Sequence, residues 1–461
     1  MANNEVSPSR EGSPEVTLTI ERMGQSGDGI ARMPDGRLAF IPYALPGETI
    51  SAQIQEERKN YVRATLQTVI YKAPSRIQPV CPIFGRCGGC SLQHWQYPEE
   101  LAYKEERVRR ALLQVGQDPQ VVASIRGSVD PLSYRNKGQF PFGRVDGQVV
   151  LGLYRKGTHE VIPARHCDIQ DDLVNKVLSW ADTAANDLDL PVYDERRKSG
   201  VLRHLLIRSS RLQGRLLVLV VAYQEHPRLD EWAKRLLCME EVAGVALNIN
   251  QTTGNRVLGP TTRLLAGESF VLEQLLGDTF QLSFTSFFQV NPRQAELLYE
   301  VALGFLPETR GVVWDLYSGV GTLACLAAHH SHQVVALELN EDAVRDARHN
   351  FMINRVTNVS IHQGRVEDMV QGWVDQGRRL PDTVIVDPPR AGLALSVTKA
   401  LQQLLPGRII YVSCNPETWA RDVERLSSYY ILSSAIPVDM FPRTDHVEVA
   451  SLLTRRPDVP G

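Results

Sequence analysis

Cys414 and Glu448 are the two side chains whose setting most directly indicates chemistry. The stretch IIYVSCNP, residues 409–416, is an apolar run typical of a buried strand, and it ends on Cys-Asn-Pro. The Cys414 thiol is therefore expected at the end of that strand, where open α/β sheets bind ligands. A lone cysteine there is more often a small buried apolar residue. Glu448 interrupts the apolar run HVEVASLL, so its carboxylate is either ion-paired, the simpler expectation, or poised as a base.

A glycine-containing loop after the apolar strand VVWDL, residues 312–316, indicates a nucleotide-type cofactor. Gly319 and Gly321 allow a tight turn and close approach of the backbone to a ligand. Glu338 stands near the end of the next apolar run, where a carboxylate can accept hydrogen bonds from ribose hydroxyls. Because Ala324 completes the relaxed fingerprint G-x-G-x-x-A, the loop alone fits NAD as well as S-adenosylmethionine.

The stretch DPPRAG, which begins at Asp387, favours the methyl donor. Each proline fixes its backbone φ angle, so that Asp-Pro-Pro holds a rigid, extended backbone at the ligand end of the sheet. Hydride transfer has no evident use for this element, whereas methyltransferases that act on bases often carry an acidic residue and two prolines there. Asp387 has a simpler interpretation as a helix N-cap or turn former. The glycine loop, Glu338 and Asp387 together predict S-adenosylmethionine as the cofactor.

A thiolate, a carboxylate and a methyl donor together suit the methylation of an unactivated pyrimidine carbon. Carbon C5 of uracil is a poor nucleophile. Addition of the Cys414 thiolate to C6 turns the ring into an enolate, which accepts the methyl group at C5. The Glu448 carboxylate then removes the C5 proton and the thiol is eliminated. The sequence therefore predicts nucleophilic catalysis followed by general-base catalysis.

Four cysteines form a candidate metal site. Cys81, Cys87 and Cys90 have the spacing C-x5-C-x2-C, and Cys167 could complete the set. The chain has seven cysteines, and an odd number argues against a disulfide framework. Four thiolates bind either a structural zinc ion or an iron–sulfur cluster, and spacing alone leaves both open. Three unconnected loop cysteines are the simplest alternative, which their density disfavours.

The elements that must position these residues follow from the hydrophobic pattern. A chain of 461 residues is too long to form a single hydrophobic core, so we expect more than one domain. Residues 15–72 alternate as short strands, which predicts an OB-like β-barrel, either RNA-binding or purely structural. From residue 279 onward strands alternate with helices, which predicts a doubly wound parallel sheet of the α/β class.

The central part of the chain reads as a mixed α+β domain. It is rich in strands, with amphipathic helices predicted at 171–186 and 226–239. Seven cations and no acid fall between Arg196 and Arg215. A sheet with a basic face that binds RNA backbone is one interpretation, and a solvated charged face is the other. The net charge of −3 leaves room for a local basic face.

The apolar runs are too short to cross a bilayer. The longest clear one, LLVLVVAY, has eight residues. The polar N-terminus lacks the apolar stretch of a secretory signal. We therefore expect no membrane association and a cytoplasmic protein with reduced thiols. Nothing in the sequence indicates more than a monomer.

Four motifs resemble the RNA uracil-5-methyltransferase family, over most of the chain. They are SFFQVNP, DPPRAG, YVSCNPETWARD and FPRTDHVEVASLL, of which S-C-N-P and D-H-V-E are specific. The N-terminal strands resemble a TRAM domain, an OB-like RNA-binding module. The loop CPIFGRCGGCSLQHW, together with PARHCDIQ, resembles the iron–sulfur motif of the family. This implies a [4Fe-4S] cluster on four thiolates: Cys81, Cys87, Cys90 and Cys167.

The resemblance implies roles for individual residues. The cysteine of S-C-N-P is the nucleophile and the glutamate of H-V-E is the base, which correspond to Cys414 and Glu448. The implied methyl-donor contacts are Gln289, Tyr317, Glu338 and Asp387. Two positions depart from many relatives. Ser318 replaces a cysteine that the mechanism does not need, and Thr322 replaces an asparagine, so a donor contact by its side chain does not follow.

The resemblance also implies a domain plan and a substrate. We expect a disordered tail at 1–13, a TRAM barrel at 14–75, a central iron–sulfur and RNA-binding domain at 76–270 with a linking helix at 97–115, and a Rossmann-like methyltransferase domain at 275–461. A TRAM-like module together with a cluster favours 23S rRNA as the substrate. A tRNA uracil-5-methyltransferase with the same chemistry is the alternative.

There are two rival interpretations, of which the first is another enzyme and the second belongs to a different functional class. An N-methyltransferase that acts on an exocyclic amine would carry an aromatic residue after Asp-Pro-Pro, where this chain has Arg390. A non-catalytic RNA-binding scaffold would have no need of Cys414, Glu448 and Asp387 together.

Overall fold

The computed structural model describes residues 14–375 and 380–459, and the predicted tail at 1–13 lies outside them. The chain forms two units. The first extends from Met1 to Lys104 and includes Arg443–Asp445, and the second comprises Glu105–Pro442 and His446–Gly461. Within the described ranges, no helix is long and apolar enough to cross a membrane.

The first unit is built around a closed barrel in the order β1-β2-β3-β5-β4. Its strands are β1 (Glu15–Met23), β2 (Asp28–Arg32), β3 (Leu38–Pro42), β4 (Thr49–Glu57) and β5 (Tyr61–Tyr71). Alternate residues such as Leu18, Ile20, Ile50 and Ala52 point into the barrel and form its core, because side chains alternate between the two faces of a strand. The predicted OB-like barrel is confirmed.

A loop after the barrel carries Cys81, Cys87 and Cys90 and has no regular secondary structure. It leads to helix α1 (Tyr97–Gln114), where the sequence predicts a helix at 97–115. The Lys104 ammonium lies 2.7 Å from the Glu100 carboxylate, and both side chains are fully buried. Each charge compensates the other inside the protein.

The second unit contains a seven-stranded central sheet in the order β12-β11-β10-β9-β6-β7-β8. The strands are β6 (Lys137–Val145), β7 (Gln148–Tyr154), β8 (Val161–Pro163), β9 (Leu202–Ser210), β10 (Arg215–Ala222), β11 (Val242–Ile249) and β12 (Thr261–Gly267). The helices are α2 (Asp172–Leu178), α3 (Ala181–Asp187) and α4 (Arg228–Leu237). One face of the sheet packs with these helices in a single apolar core. The predicted mixed α+β region is present.

Two helix predictions in this region need correction. The single helix predicted at 171–186 is wrong, because α2 ends before Ser179 and α3 begins at Ala181. The Ser179 hydroxyl donates a hydrogen bond to the Lys176 carbonyl oxygen at 2.8 Å, and such local bonding favours a helix end. Helix α4 begins after Pro227, two residues later than predicted, because proline lacks the N–H of a helix interior and is suited to a helix start.

The remaining elements form a second seven-stranded sheet in the order β17-β16-β15-β18-β19-β21-β20. Its strands are β15 (Val312–Leu316), β16 (Gln333–Glu338), β17 (Val359–Gln363), β18 (Thr383–Val386), β19 (Arg408–Ser413), β20 (Tyr430–Val438) and β21 (Glu448–Arg455), and a hairpin of β13 (Phe270–Leu275) and β14 (Asp278–Ser283) precedes them. The helices are α5 (Pro292–Gly304), α6 (Thr322–Ala328), α7 (Glu341–Ile353), α8 (Val366–Asp375), α9 (Leu395–Leu404) and α10 (Pro416–Leu426). The predicted doubly wound sheet is confirmed.

The topology brings the candidate residues to one edge of this sheet. Strands β15 to β19 are parallel, so their carboxyl ends lie together. Strand β21 is antiparallel to β19, and it therefore begins at the edge where β19 ends. The register pairs Ser413 with Val449, and continuing it by one residue places Cys414 opposite Glu448. Side chains directly opposite in an antiparallel pair lie on the same face, with Cβ atoms about 5 Å apart.

Candidate active site

A cavity of about 900 Å³ lies at the carboxyl ends of the parallel strands. Its size is that of a site for a cofactor-sized ligand. Six residues predicted from the sequence line it together: Gln289, Tyr317, Glu338, Asp387, Cys414 and Glu448. The structure therefore brings the predicted nucleophile, the predicted base and the predicted methyl-donor contacts into one pocket.

The loop after β15 has a backbone that only glycine-rich sequences adopt easily. Gly319 and Gly321 have φ angles of 57° and 78°, and Tyr317 has a φ of 68°. A Cβ atom added to Gly319 would meet no heavy atom within 4 Å, so the loop leaves open space there. A Cβ atom on Gly321 would lie 2.7 Å from the Phe351 ring. Gly319 thus allows close approach of a ligand, and Gly321 allows close packing of the following helix.

Glu338, the last residue of β16, links this loop to the next turn. One carboxylate oxygen accepts a hydrogen bond from the Gly319 N–H at 2.9 Å, and the other accepts one from the Asn340 N–H at 2.7 Å. These bonds fix the Glu338 carboxylate at the wall of the cavity beside the exposed side chain of Leu339.

The Asn-Pro sequence after Cys414 forms the junction between a strand and a helix. The Asn415 side-chain oxygen accepts hydrogen bonds from the N–H groups of Glu417 at 3.1 Å and Thr418 at 3.4 Å, as an N-cap residue does. Pro416 occupies the first position of α10, where its missing N–H costs nothing. This junction ends β19 and leaves the half-buried Cys414 thiol at the cavity wall.

Burial dominates the electrostatics of the site. It raises the pKa of Glu448 to about 8, with a smaller contribution from the Asp387 carboxylate. Burial, followed by the carboxylates of Glu448 and Asp387, raises the pKa of Cys414 to about 11. The Arg390 guanidinium lowers both values. Burial also raises the pKa of Asp387 to about 7. At neutral pH a proton therefore remains on Glu448, a carboxyl group that would normally be ionised.

The simpler expectation for Glu448 was an ion pair. Among the described residues, Glu448 forms no ion pair with an N–O distance of 4.0 Å or less. The residue is nevertheless buried, with only 4% of its surface exposed. A buried carboxylate with a raised pKa at a cavity wall is the setting of a general base.

Sequence reasoning missed two buried residues of the cavity. Asp315 in β15 is 1% exposed, and neither carboxylate oxygen accepts a hydrogen bond of ordinary geometry from the described residues, although the Ala324 N–H lies near enough to favour the carboxylate. Its signal was present, because an acid interrupts the apolar run VVWDL as Glu448 interrupts its own strand. Tyr299 in α5 lies beside it, and burial followed by the Asp387 charge raises the pKa of this phenol. A tyrosine in an amphipathic helix gives no comparable signal.

Two further side chains, near the Cys414 thiol, were not predicted as site residues. The Arg390 guanidinium lies 3.3 Å from Nε2 of His446, and both residues line the cavity. The Arg390 carbonyl oxygen accepts hydrogen bonds from the Asn415 amide at 3.2 Å and the Thr418 hydroxyl at 3.1 Å. The stretch DPPR is thereby tied to the strand–helix junction that carries Cys414.

The cations between Arg196 and Arg215 do not form one basic face. Arg203 is buried and donates hydrogen bonds to the carbonyl oxygens of Asn250 and Thr252. Arg208 is buried as well and donates to the Ser286 carbonyl oxygen in the SFFQVNP loop of the cavity. These two guanidinium groups therefore satisfy backbone carbonyls, as buried polar groups must.

The four predicted metal ligands are divided between the two units. Cys81, Cys87 and Cys90 belong to the first unit and Cys167 belongs to the second. Over residues 14–375 and 380–459, no group of three or more His, Cys, Asp or Glu side chains is placed to hold a metal ion.

Comparison with known proteins gives the family of this chain. The family model described as tRNA (Uracil-5-)-methyltransferase matches residues 96–456, and the TRAM domain model matches residues 9–66. The chain belongs to the tRNA (uracil-5-)-methyltransferase family. The predicted family and the predicted TRAM domain are confirmed.

Relatives of this methyltransferase span nearly its full length. Uncharacterized RNA methyltransferases of Halalkalibacterium halodurans and Caldanaerobacter subterraneus are 35% and 37% identical, and each alignment covers 95% of this chain and 96% or 97% of the relative. The solved structure of Pyrococcus abyssi tRNA (uracil-54, C5)-methyltransferase with S-adenosyl-L-homocysteine is 25% identical with a TM-score of 0.78, and the match covers 95% of this chain and all of that one. The chain is therefore an S-adenosylmethionine-dependent RNA methyltransferase.

Burial of Glu448 predicts a pH-dependent stability of this methyltransferase. The folded protein keeps the Glu448 proton up to a pKa of about 8, against an ordinary value of 4.5. Between these pH values the folded state binds more protons than the unfolded state, so the free energy of unfolding falls as pH rises. We expect Glu448→Gln to be more stable than the wild type at pH 9 by on the order of 5 kcal/mol, and equally stable at pH 4.

Denaturant unfolding at both pH values measures this difference. The exposed Glu424 of α10 supplies the matched control. Glu424→Gln should change the free energy of unfolding equally at pH 4 and pH 9. If Glu448→Gln showed no gain at high pH, Glu448 would not be a desolvated carboxyl.

Proposed function

We propose that this enzyme methylates C5 of a specific uridine in 23S rRNA through a covalent bond between the Cys414 sulfur and C6 of the uracil. The placement of Cys414 opposite Glu448 in one cavity with the glycine loop carries the proposal. A methyl donor at that loop, a thiol and a base are the three groups that C5 methylation of uracil needs.

The protein's own residues account for each bond change. The Cys414 thiolate adds to C6, and the electron pair of the C5–C6 double bond moves toward O4. S-adenosylmethionine, when bound, would supply an electrophilic methyl group: C5 bonds to this carbon while the methyl–sulfonium bond breaks, and the electron pair of that bond stays on the sulfur of the departing S-adenosylhomocysteine. Glu448 then accepts the C5 proton, the double bond re-forms, and the Cys414–C6 bond breaks with the electrons returning to sulfur. Arg390 assists the first step, because its charge favours the thiolate.

Four cavity residues are proposed to hold the methyl donor: Gln289, Tyr317, Glu338 and Asp387. The open space at Gly319 and the oriented carboxylate of Glu338 support this assignment, because ribose hydroxyls donate to such a carboxylate. Asp315 is a further candidate, since its buried carboxylate, which accepts no hydrogen bond of ordinary geometry from the described residues, would gain a partner from the amino group of the donor.

The choice of RNA rests on separate observations. The TRAM domain together with the cysteine motif supports 23S rRNA. The match to the Pyrococcus abyssi tRNA enzyme supports tRNA as the second candidate. Incubation of 23S rRNA and tRNA from a deletion strain with labelled methyl donor, followed by nucleoside mass spectrometry, separates them. We expect 5-methyluridine at one position of 23S rRNA, whereas N-methylated bases in either RNA would contradict the proposed chemistry.

The raised pKa values predict the pH dependence of the proposed reaction. Glu448 must be ionised to act as a base, and burial holds its pKa at about 8 in the free enzyme. The value of kcat/KM should therefore rise between pH 6 and pH 9. Asp387→Asn removes a negative charge that raises the pKa values of Glu448 and Cys414, so this rise should move to lower pH. A profile that stays in place or moves to higher pH would contradict this electrostatic coupling.

We further infer that Cys81, Cys87, Cys90 and Cys167 hold a [4Fe-4S] cluster. Two of the sulfur atoms already accept hydrogen bonds at 3.3 Å, from the Gly89 N–H and from the Gln93 side-chain amide, as ligand thiolates do. The cluster supplies structure or RNA positioning, because no step of the methyl transfer needs an electron.

Metal analysis tests the cluster. Protein purified without oxygen should be brown and contain about four irons per chain. Cys87→Ser should lose both the colour and the iron. A colourless protein with about one zinc ion would overturn the assignment.

The four-part domain plan, the cytoplasmic location and the monomeric state stay predictions.

A further inference from the structure

We propose that one face of strand β6 binds a single-stranded segment of the RNA beside the target uridine. A phosphate would lie at Arg135 and Lys137, and an unpaired base would stack on His159, which packs on Tyr154. This inference rests on the proposed function, because it takes RNA with its uridine in the cavity as the ligand. We call these residues, with Gln139 and His204, the β6 strip.

The pairing of β6 with β9 defines the face that carries the strip. Lys137 lies opposite Arg208, Gln139 opposite Leu206, and Pro141 opposite His204, so these side chains share one face of the sheet. The intervening Phe140 and Phe142 point the other way, into the core that includes α2 to α4.

This face is open to solvent along part of its length. Gln139 is exposed although it lies in the interior of β6. A strand that is buried on both faces would carry an apolar residue at this position. The sheet therefore leaves polar surface uncovered between the cavity and the far end of β6.

The end of the strip at the cavity concentrates positive charge. Arg135 lines the cavity, and its Nε donates to the Lys137 carbonyl oxygen at 3.0 Å. Burial, followed by the charges of Arg208 and Arg135, pushes the pKa of Lys137 well below its usual range. The two guanidinium charges and burial disfavour the charged form of Lys137, and an anion beside these three basic side chains would favour it. RNA phosphates are the anions that such groups bind.

The far end of the strip presents an ordered aromatic surface. The rings of Tyr154 and His159 are stacked, with centroids 5.3 Å apart and planes inclined by 29°. The Tyr154 hydroxyl lies 3.1 Å from Nε2 of the buried His204. The His159 ring is fixed by Glu195 at 3.0 Å and Asn255 at 3.3 Å, yet its side chain is 52% exposed.

A ring that is held in place by its neighbours and open to solvent is suited to stack on an unpaired base.

The distance between the two ends of the β6 strip fits a short RNA segment. Residues 137 and 141 are separated by about 13 Å along a strand. The strip therefore leads from the cavity over a length that a few nucleotides can span.

Binding of fluorescein-labelled dodecauridylate to the full chain, followed by fluorescence anisotropy, tests the strip. Gln139→Glu places a negative charge on the open face, and His159→Ala removes the stacking ring. Each should raise the Kd about tenfold. The exposed His330, which follows α6, supplies the matched control, because His330→Ala should leave the Kd unchanged.

Two binding results would contradict the proposal that the β6 strip binds RNA. The Kd values of Gln139→Glu and His159→Ala could lie within twofold of the wild-type value, or His330→Ala could weaken binding as much as they do. Photocrosslinking with a 4-thiouridine dodecamer gives an independent readout. It should label the peptide that contains Tyr154 and His159, and labelling confined to other peptides would also overturn the inference.

Failure of the strip and failure of the proposed function give different results. If 5-methyluridine forms while the strip variants bind dodecauridylate like the wild type, the strip is wrong and the proposed function stands. If the strip variants lose affinity while no RNA acquires 5-methyluridine, the RNA surface stands and the proposed reaction is wrong.

Discussion

Cys414→Ala should abolish formation of 5-methyluridine, with kcat reduced by at least about 10⁴-fold. The reason is that C5 of uracil becomes nucleophilic only while a bond joins the Cys414 sulfur to C6. Cys414→Ser should be nearly as inactive, because a hydroxyl is a much weaker nucleophile than a thiolate at neutral pH. Transfer of labelled methyl groups to RNA measures both rates.

The exposed Cys238 gives the control for this variant. Cys238→Ala should keep the wild-type rate, because its thiol lies outside the cavity. Binding of S-adenosylmethionine by Cys414→Ala should persist, which would show that the cavity is intact. A Cys414→Ala enzyme with more than about a tenth of the wild-type rate would contradict covalent catalysis.

Glu448→Gln should stop the reaction after methyl transfer and accumulate the covalent complex with ordinary RNA. The amide cannot accept the C5 proton, so the double bond cannot re-form and the sulfur cannot leave. General-base catalysis contributes roughly 10²- to 10⁴-fold, which sets the expected loss of kcat. Denaturing electrophoresis with labelled RNA should show a retarded band that the wild type lacks.

Glu424→Gln again supplies the matched control, and it should turn over without a retarded band. The double variant Cys414→Ala/Glu448→Gln should form none either, because the complex needs the thiol. Free turnover by Glu448→Gln at the wild-type rate would show that another group removes the proton. In that case the carboxylates of Asp387 and Asp315 would be the next candidates, since both line the cavity.

Local sequence signals predicted the sheet and four of the cavity residues, which are Glu338, Asp387, Cys414 and Glu448. Gln289 and Tyr317 were predicted only from the family resemblance. Apolar strands that alternate with helices can form few sheets other than a doubly wound one. Ends of parallel strands meet at one edge, so that Glu338, Asp387 and Cys414 had to converge. The antiparallel direction of β21 was not predicted, because an apolar run does not indicate in which direction its strand pairs.

The residues that sequence reasoning missed depend on contacts between distant segments. Arg208 appeared to be one of a run of surface cations, yet it is buried beneath the SFFQVNP loop, seventy-eight residues away in the chain. Tyr299 carries no pattern that separates it from an ordinary helix residue. The helix predicted at 171–186 fails for a local reason, because periodicity does not register the hydrogen bond of Ser179 that ends α2.

The transient sulfur–carbon bond is the centre of this account, and mass spectrometry of a trapped complex tests it most directly. RNA that contains 5-fluorouridine should acquire the methyl group and remain attached, because fluorine at C5 cannot leave as a proton does. After digestion, the account predicts a methylated fluorouracil nucleotide on the peptide that contains Cys414, and none with Cys414→Ala. An adduct on another residue, or rapid 5-methyluridine formation by the Cys414→Ala protein, would contradict it.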